Sequence, residues 1–130
     1  MNPSILLQAF QGSNKKIPVW FMRQAGRFLP EYRQLREKHS LEDMFYHPEL
    51  AAQITCLPVN LLGVDAAILF ADILTLPAAM GFDIHFPQSG GPVIGNAINQ
   101  PEDVMRIHDM VDLPHIRQTI QLVNKQLPDD

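Results

Sequence analysis

Residues 18–33 read Pro18-Val19-Trp20-Phe21-Met22-Arg23-Gln24-Ala25-Gly26-Arg27-Phe28-Leu29-Pro30-Glu31-Tyr32-Arg33. An apolar run over residues 17–22 ends abruptly at Arg23, and Arg27 follows four positions later. A separation of four places both side chains on one side of the backbone, whether it is helical or extended. Two guanidinium groups aimed the same way can each hold an oxyanion through two parallel hydrogen bonds. Gly26 leaves room for a ligand or the backbone between them, although an ordinary pair of surface arginines is the alternative.

The composition is that of a single globular domain. The chain has 130 residues, of which 46% are hydrophobic and 18% charged, so one soluble domain over residues 1–130 is predicted. The apolar runs are too short to span a bilayer, and the first residues lack the features of a secretory signal. The single cysteine, Cys56, lies among apolar residues and is predicted to be a buried thiol. These features predict a cytoplasmic protein without a membrane partner.

Charge is unevenly distributed along the chain. Residues 15–38 carry seven basic and two acidic side chains, a balance of +5; the whole chain has a net charge of −4, which leaves −9 for the remainder. A basic segment on an acidic protein focuses positive potential onto an anionic ligand. Nucleic acid is one such anion, since Trp20, Phe21, Phe28 and Tyr32 could stack on bases. The whole-domain basicity of nucleic-acid-binding proteins is absent, so a smaller anion is predicted.

Prolines, glycines and apolar spacing divide the chain into predicted elements. Helices are predicted over residues 3–12, 30–38, 48–63, 73–80, 101–108 and 114–127, and a short turn is predicted between residue 40 and Pro48. Ser40 and Asp43 have the spacing of a capping box. Residues 64–70 are almost uninterruptedly apolar, which is typical of a parallel strand covered on both faces. A short strand over 83–86 and a glycine-rich loop over 88–95 complete an order of elements that predicts an α/β fold.

Two positions have alternative interpretations. Arg33 lies four residues before Glu37, so a helix ion pair is as well supported as a ligand contact. Asp72 directly follows the predicted strand over 64–70. It can cap a helix that begins at Ile73, or it can present a carboxylate to a ligand at the end of the strand. The residue types alone favour the cap.

The block over residues 18–27, with the Leu-Pro-Glu-Tyr-Arg that ends at Arg33, closely resembles the N-terminal signature of the uroporphyrinogen decarboxylase family. Residues 65–74 are similar to the family's first barrel strand and the acidic residue after it, and the resemblance extends from about residue 17 to 95 and more weakly beyond. It implies a (β/α)8 TIM barrel, which needs about 250 residues. The chain is therefore expected to be the N-terminal third of such a barrel, incomplete and inactive by itself.

The resemblance also implies a reaction and a set of site residues. The family removes carbon dioxide from the four acetate arms of uroporphyrinogen III, giving coproporphyrinogen III, without cofactor or metal. Asp72 and Arg23 match its catalytic residues, with Asp72 stabilising positive charge on the macrocycle. Substrate binding is implied for Arg23, Gln24, Ala25, Gly26, Arg27, Arg36 and Asp72. Gln24, Ala25 and Gly26 are expected to offer backbone N–H groups, and Arg36 to reach a propionate. The expected partners are the anionic tetrapyrrole and a second copy in a homodimer, with no nucleic acid.

Two departures and two alternatives accompany the resemblance. Phe28 stands where the family commonly has tyrosine and Ala71 where it has serine, and neither change removes a charge. A related methyltransferase on the same barrel would use zinc with a corrinoid or thiol. Those relatives lack the Arg-Gln-Ala-Gly-Arg block, and none of the five histidines here has metal-ligand spacing with another ligand. A non-catalytic fragment that binds an anion or a protein partner is the second alternative.

Overall fold

Helices form most of the structure. A computed structural model of the protein describes residues 4–87, 89–109 and 111–127. Its α-helices are α1 (Ile5–Phe10), α2 (Pro30–Lys38), α3 (Leu41–Tyr46), α4 (Pro48–Leu62), α5 (Thr75–Ala79) and α6 (Pro114–Gln126). A 3₁₀ helix covers Pro101–Arg106, and two short strands, β1 (Ile84–His85) and β2 (Val93–Ile94), pair antiparallel. No helix in the described ranges has both the length and the apolar character needed to cross a membrane.

Several helix boundaries follow the predicted local signals. Three helices begin at a proline in the first helical position, where its missing N–H needs no partner: Pro30, Pro48 and Pro114. The predicted capping box is confirmed at the start of α3, where the Ser40 hydroxyl accepts the Asp43 N–H at 3.0 Å. The Asp43 carboxylate in turn accepts the Ser40 N–H at 3.1 Å. α4 ends at Gly63 with a left-handed φ of 65°, a conformation that glycine adopts without steric penalty.

Other elements differ from the sequence-based predictions. α5 covers only residues 75–79 of the predicted 73–80, and the helix predicted over 101–108 is a 3₁₀ helix that ends at Arg106. β2 lies inside the predicted glycine-rich loop, because Val93 and Ile94 pair with the predicted strand around Ile84. Local composition does not reveal such pairing. The first predicted helix corresponds to α1, which begins at Ile5. Its predicted cap Asn2 and first residue Pro3 lie outside the described residues, as does Gln88 of the predicted loop.

The core is built around α4, which packs mainly against α6 and also against α3 and α2. Ala52 and Cys56 of α4 are buried against Val123 of α6. The predicted burial of Cys56 is confirmed, and that burial raises the pKa of its thiol. A second buried cluster joins Leu29, Tyr32, Met44 and Ile54, with Phe70 packed against it. This second cluster fixes the start of α2 beside the end of the 64–70 segment.

The predicted parallel strand over 64–70 is not part of a sheet. In the described residues this segment is neither helical nor paired as a strand, and the sheet consists of β1 and β2 alone. It lies instead beside the 17–22 segment, where the Asp65 N–H donates to the Val19 carbonyl at 2.8 Å. The Asp65 carboxylate accepts the Val19 N–H, also at 2.8 Å. A strand needs backbone partners along its length, and one such contact brings the segments together without forming a ladder.

Thr55 of α4 anchors the far end of the 64–70 segment. Its buried hydroxyl donates to the Ala51 carbonyl at 2.7 Å and accepts the Phe70 N–H at 2.9 Å. Phe70 comes two residues before Asp72. A threonine in the middle of a helix would ordinarily satisfy its hydroxyl only within its own helix. Thr55 therefore links the helical core to the segment that carries Asp72.

Replacing Thr55 with valine should lower the free energy of unfolding by about 1–3 kcal/mol, because the Phe70 N–H would lose its partner. Thr119 provides a matched control. It is fully buried and its hydroxyl donates to the His115 carbonyl at 2.7 Å, but within the described part of the chain it accepts no hydrogen bond from another segment. Urea unfolding should show a clearly smaller loss for Thr119→Val. Equal losses in the two variants would contradict the role given to Thr55.

Candidate functional site

Arg23 and Arg27 each lie in a tight turn. The first turn is closed by the Gln24 N–H, which donates to the Phe21 carbonyl at 3.1 Å. Arg23 is its third residue and has a φ of 57°, a left-handed conformation that usually requires glycine or asparagine. The second turn is closed by the Leu29 N–H, which donates to the Gly26 carbonyl at 3.0 Å and places Arg27 second. We call residues 23–29 the arginine loop.

Gly26 is explained by the packing of the arginine loop on itself. A β-carbon at this position would lie 2.9 Å from the Arg23 carbonyl oxygen, closer than side-chain and backbone atoms can approach without a shift. From the sequence, either a ligand or the backbone could be the group that comes close to Gly26. In the structure this group is the backbone, so glycine is needed to bring the two turns together.

Arg33 also holds the arginine loop. Its guanidinium nitrogen Nη1 donates to the Arg27 carbonyl at 2.9 Å and to the Phe28 carbonyl at 3.1 Å. Within the described residues Arg33 forms no ion pair with Glu37, the alternative raised by their spacing. The loop carbonyls are the better partners because they lie directly beside the first turn of α2. Arg33 thus secures the second turn from outside.

Asp72 follows the 64–70 segment and is half-buried. Its Oδ1 accepts the Leu74 N–H at 2.8 Å, and its backbone carbonyl accepts the Thr75 N–H at 3.1 Å. Since α5 begins at Thr75 with Leu74 in the capping position, Asp72 is not the N-cap of that helix. Its carboxylate stabilises the turn before α5 through one oxygen, and among the described residues no group donates to Oδ2. One oxygen therefore remains available to a ligand.

One cavity, of about 630 Å³, brings most of the predicted site residues together. Its wall contains the arginine loop up to Phe28, the 68–72 segment and three apolar side chains from the helices, namely Tyr32, Leu41 and Phe45. Arg23, Gln24, Ala25, Gly26, Arg27 and Asp72 all line it. In the described part of the chain, neither the Arg23 nor the Arg27 guanidinium makes a hydrogen bond or ion pair with a protein group. Both are exposed, so their donors are available to an external anion.

The predicted backbone contacts of Gln24 are not available in this arrangement. Its N–H already closes the first turn, and its side chain is only 1% exposed. The side-chain Oε1 accepts the Phe21 N–H at 3.1 Å, and Nε2 donates to the Ala66 carbonyl at 2.8 Å. Sequence reasoning missed this role because Ala66 is remote in the chain. The one local sign of this structural role was the position of a polar residue just after the apolar run over residues 17–22.

Arg36 lies outside the main cavity. It lines an adjacent cavity of about 300 Å³ with Tyr32, Arg33 and Glu37, and Arg27 borders both spaces. The Arg36 Nη1 donates to the His39 carbonyl at 2.8 Å, at the C-terminus of α2. A cation in this position also complements the negative end of the helix dipole. The structure thus places Arg36 beside the site but not within it.

Aromatic side chains form the apolar part of the cavity wall. Phe70 stacks on Phe45 with ring centroids 5.0 Å apart and meets the edge of Tyr32 at 5.8 Å. Burial raises the pKa of the Tyr32 phenol, and the guanidiniums of Arg36 and Arg27 oppose that shift. A wall of low polarity strengthens the electrostatic interactions of the charged groups beside it. Phe45 and Phe70 could not be assigned to the site from the sequence, because only the fold shows which apolar residues face the cavity.

The described residues contain no group of three histidine, cysteine or acidic side chains arranged to hold a metal ion. The arrangement consists of two unpaired guanidiniums, one carboxylate and an aromatic wall. Such a site can bind a ligand that carries several carboxylates around an apolar body. Its carboxylate can also interact with N–H donors or with positive charge on that body.

Comparisons with known proteins agree with this chemistry. The family model for uroporphyrinogen decarboxylase (URO-D) matches residues 2–130. The chain is 42% identical over 128 residues to a uroporphyrinogen decarboxylase of Thermus thermophilus, covering 95% of this chain and 38% of that protein. The enzyme of Geobacillus thermodenitrificans is 50% identical over 115 residues, covering 85% and 33%, and that of Geobacillus kaustophilus is 47% identical over 126 residues, covering 93% and 36%.

The chain thus spans about a third of the length of the curated relatives that it matches, in their N-terminal part. The match includes the arginine loop and Asp72, the same residues that meet in the main cavity. By the extent of this match, the chain belongs to the uroporphyrinogen decarboxylase family.

Proposed function

We propose that this chain supplies the substrate-binding wall of a uroporphyrinogen decarboxylase, which converts the four acetate arms of uroporphyrinogen III to methyl groups with release of carbon dioxide. The observation that carries the proposal is the single cavity lined by Arg23, Arg27 and Asp72. Asp72 comes from a part of the sequence that is remote from the two arginines. Their charges match a ligand with carboxylates on its rim and pyrrole N–H groups at its centre.

The chemical role proposed for Asp72 follows from the electron flow of decarboxylation. When carbon dioxide leaves, the electron pair of the broken bond remains on the methylene carbon and needs an acceptor. A protonated pyrrole ring accepts that pair, and its protonation places positive charge on the macrocycle. The methylene carbon then takes up a proton and the ring releases the one that it gained, which leaves a methyl group. A carboxylate held against the pyrrole N–H groups stabilises this charge as it develops. The free oxygen of Asp72 suits that role, because Oδ1 already fixes the carboxylate through Leu74.

The proposed role of Arg23 and Arg27 is binding and orientation. An arginine hardly loses its proton in a protein, so neither is assigned as an acid or a base. Each guanidinium can hold a carboxylate arm of the substrate through paired hydrogen bonds. Fixing the arms orients the macrocycle so that its N–H groups face Asp72. No cofactor takes part in this scheme.

The fold proposed for the complete protein is a (β/α)8 barrel, in which the 17–22 and 64–70 segments become neighbouring parallel strands. Val19 contacts Asp65, and Gln24, further along, contacts Ala66, which supports a common direction. Helices α2, α3 and α4 lie between the segments in sequence, as in a βαβ unit. Arg23 and Asp72 follow the C-terminal ends of the two segments, where barrel enzymes carry their active sites.

The test is a chimera in which residues 1–130 are followed by the part of the Thermus thermophilus relative beyond the matched region. We expect the chimera to form coproporphyrinogen from uroporphyrinogen and to elute from gel filtration as a homodimer. The 130-residue chain alone should form no product, because one wall does not enclose the substrate.

The intact Thermus relative serves as the positive control in the same assay. A chimera that folds cooperatively but forms no coproporphyrinogen, while the relative does, would contradict the proposed function. If that chimera still bound a tetracarboxylate porphyrin, the non-catalytic anion-binding alternative would replace it.

A further inference from the structure

Arg23 occupies a backbone conformation that its own chemistry disfavours. Its φ of 57° places it in the left-handed region, and among the described residues it is the sole non-glycine with a positive φ. For a residue with a β-carbon this region is disfavoured by a factor of about five to thirty. Such strain persists only where the surroundings enforce it. Something in the structure must therefore hold the turn over residues 21–24 closed.

Gln24 makes the contacts that close this turn. Its N–H donates to the Phe21 carbonyl at 3.1 Å, and its side-chain Oε1 accepts the Phe21 N–H at 3.1 Å. Both polar backbone groups of Phe21 are thus bound by one residue. The Nε2 of Gln24 donates to the Ala66 carbonyl at 2.8 Å, which fixes the turn to the neighbouring segment. Gln24 is only 1% exposed, so water does not reach its polar groups. Loss of these hydrogen bonds would leave buried polar groups without partners, which is costly.

We propose that Gln24 is a positioning residue that holds Arg23 in its left-handed conformation and so directs the Arg23 guanidinium into the main cavity. The backbone N–H of Gln24 is bound to the Phe21 carbonyl within the turn and is therefore not offered to a ligand. The inference rests on the proposed function only for the nature of the anion that Arg23 binds. The role of Gln24 in holding the strained turn closed rests on its hydrogen bonds to Phe21 and Ala66.

The ordinary alternative is that Gln24 is a buried polar group that stabilises the fold and nothing else. That role also predicts a loss of stability on substitution. It does not predict that the effects of Gln24 depend on which residue occupies position 23. Double-mutant cycles between the two positions therefore separate the interpretations.

The first cycle measures stability in the 130-residue chain by urea unfolding. Arg23→Gly should raise the folding equilibrium constant about fivefold, because glycine adopts a positive φ freely. In the Gln24→Met background this gain in the folding equilibrium constant should largely disappear. Without the hydrogen bonds of the Gln24 side chain, the turn is free to open and Arg23 can leave the strained conformation. An equal gain in both backgrounds, or no gain from Arg23→Gly alone, would overturn the proposal. If Gln24→Met does not fold, Gln24→Asn, one methylene shorter, takes its place.

The second cycle measures binding of coproporphyrin, a fluorescent tetracarboxylate porphyrin, by the chimera. Gln24→Met should weaken binding about tenfold when Arg23 is present. In the Arg23→Leu background the same change should have no further effect, because there is no guanidinium left to direct. Equal losses in both backgrounds would overturn the proposal. If the chimera with unaltered Arg23 and Gln24 does not bind coproporphyrin, the proposed function is contradicted, while the stability cycle still decides whether Gln24 holds the turn.

Discussion

Asp72→Asn should lower the kcat of the chimera by about 100- to 1000-fold, the usual cost of removing one electrostatic group from a transition state. The same substitution should hardly affect stability. Among the described residues, the hydrogen bond of the Asp72 side chain is that of Oδ1 with the Leu74 N–H at 2.8 Å, and an asparagine oxygen can accept the same bond. The free energy of unfolding should therefore change by no more than about 0.5 kcal/mol.

Asp109→Asn is a matched control for the loss of charge, because Asp109 is exposed and does not line the main cavity. It should leave both kcat and stability unchanged. Near-normal turnover by Asp72→Asn would return Asp72 to a purely structural role as the acceptor for Leu74. A large loss of stability in that variant would show that the turn before α5 needs the charge.

Arg23→Leu and Arg27→Leu should each lower the kcat/KM of the chimera by a factor that corresponds to about 2–5 kcal/mol, the cost of leaving a bound carboxylate without its partner. The effect on stability should be small, because neither guanidinium bonds to a protein group in the described residues. Leucine retains the β-carbon, so the backbone preference at position 23 is unchanged.

Two other arginines provide graded controls for this experiment. Arg36→Leu should have a smaller effect than either change, since Arg36 lies in the adjacent cavity and contacts the His39 carbonyl. Arg117→Leu, on the exposed side of α6 and paired with Asp112, should have none. Undiminished kcat/KM in both Arg23→Leu and Arg27→Leu would remove these residues from the substrate site.

The arginine loop was largely predictable because its signals are local. Arg23 and Arg27 are four residues apart, and no distant contact is needed to bring them together. The same holds for the capping box at Ser40 and for the end of α4 at Gly63, where one or two residues satisfy the groups at a helix terminus. These features depend on backbone conformation over a few residues, which the sequence specifies directly.

The strand predicted over residues 64–70 shows where local reasoning fails. Its apolar composition indicated burial on both faces, but a strand exists only where another segment supplies hydrogen bonds. Val19 supplies the backbone bond to Asp65, and Thr55 binds the Phe70 N–H through its side chain. β2 is the reverse case, a segment of unremarkable composition that becomes a strand because β1 lies beside it.

Residue identities alone specified the charges of the site, two arginines and an aspartate, but not their relation in space. Asp72 is remote from Arg23 in the sequence, and no spacing rule connects them. Tertiary structure brings them to one cavity by binding the 64–70 segment to Val19, Gln24 and Thr55. It also places the side chains of Gln24 and Arg33 where they bind the backbone of Phe21 and Arg27 and so hold the arginine loop. Hydrogen bonds between distant segments form only once the chain has paid the entropy of closing the loop between them, so they follow from the packed fold and not from any local pattern.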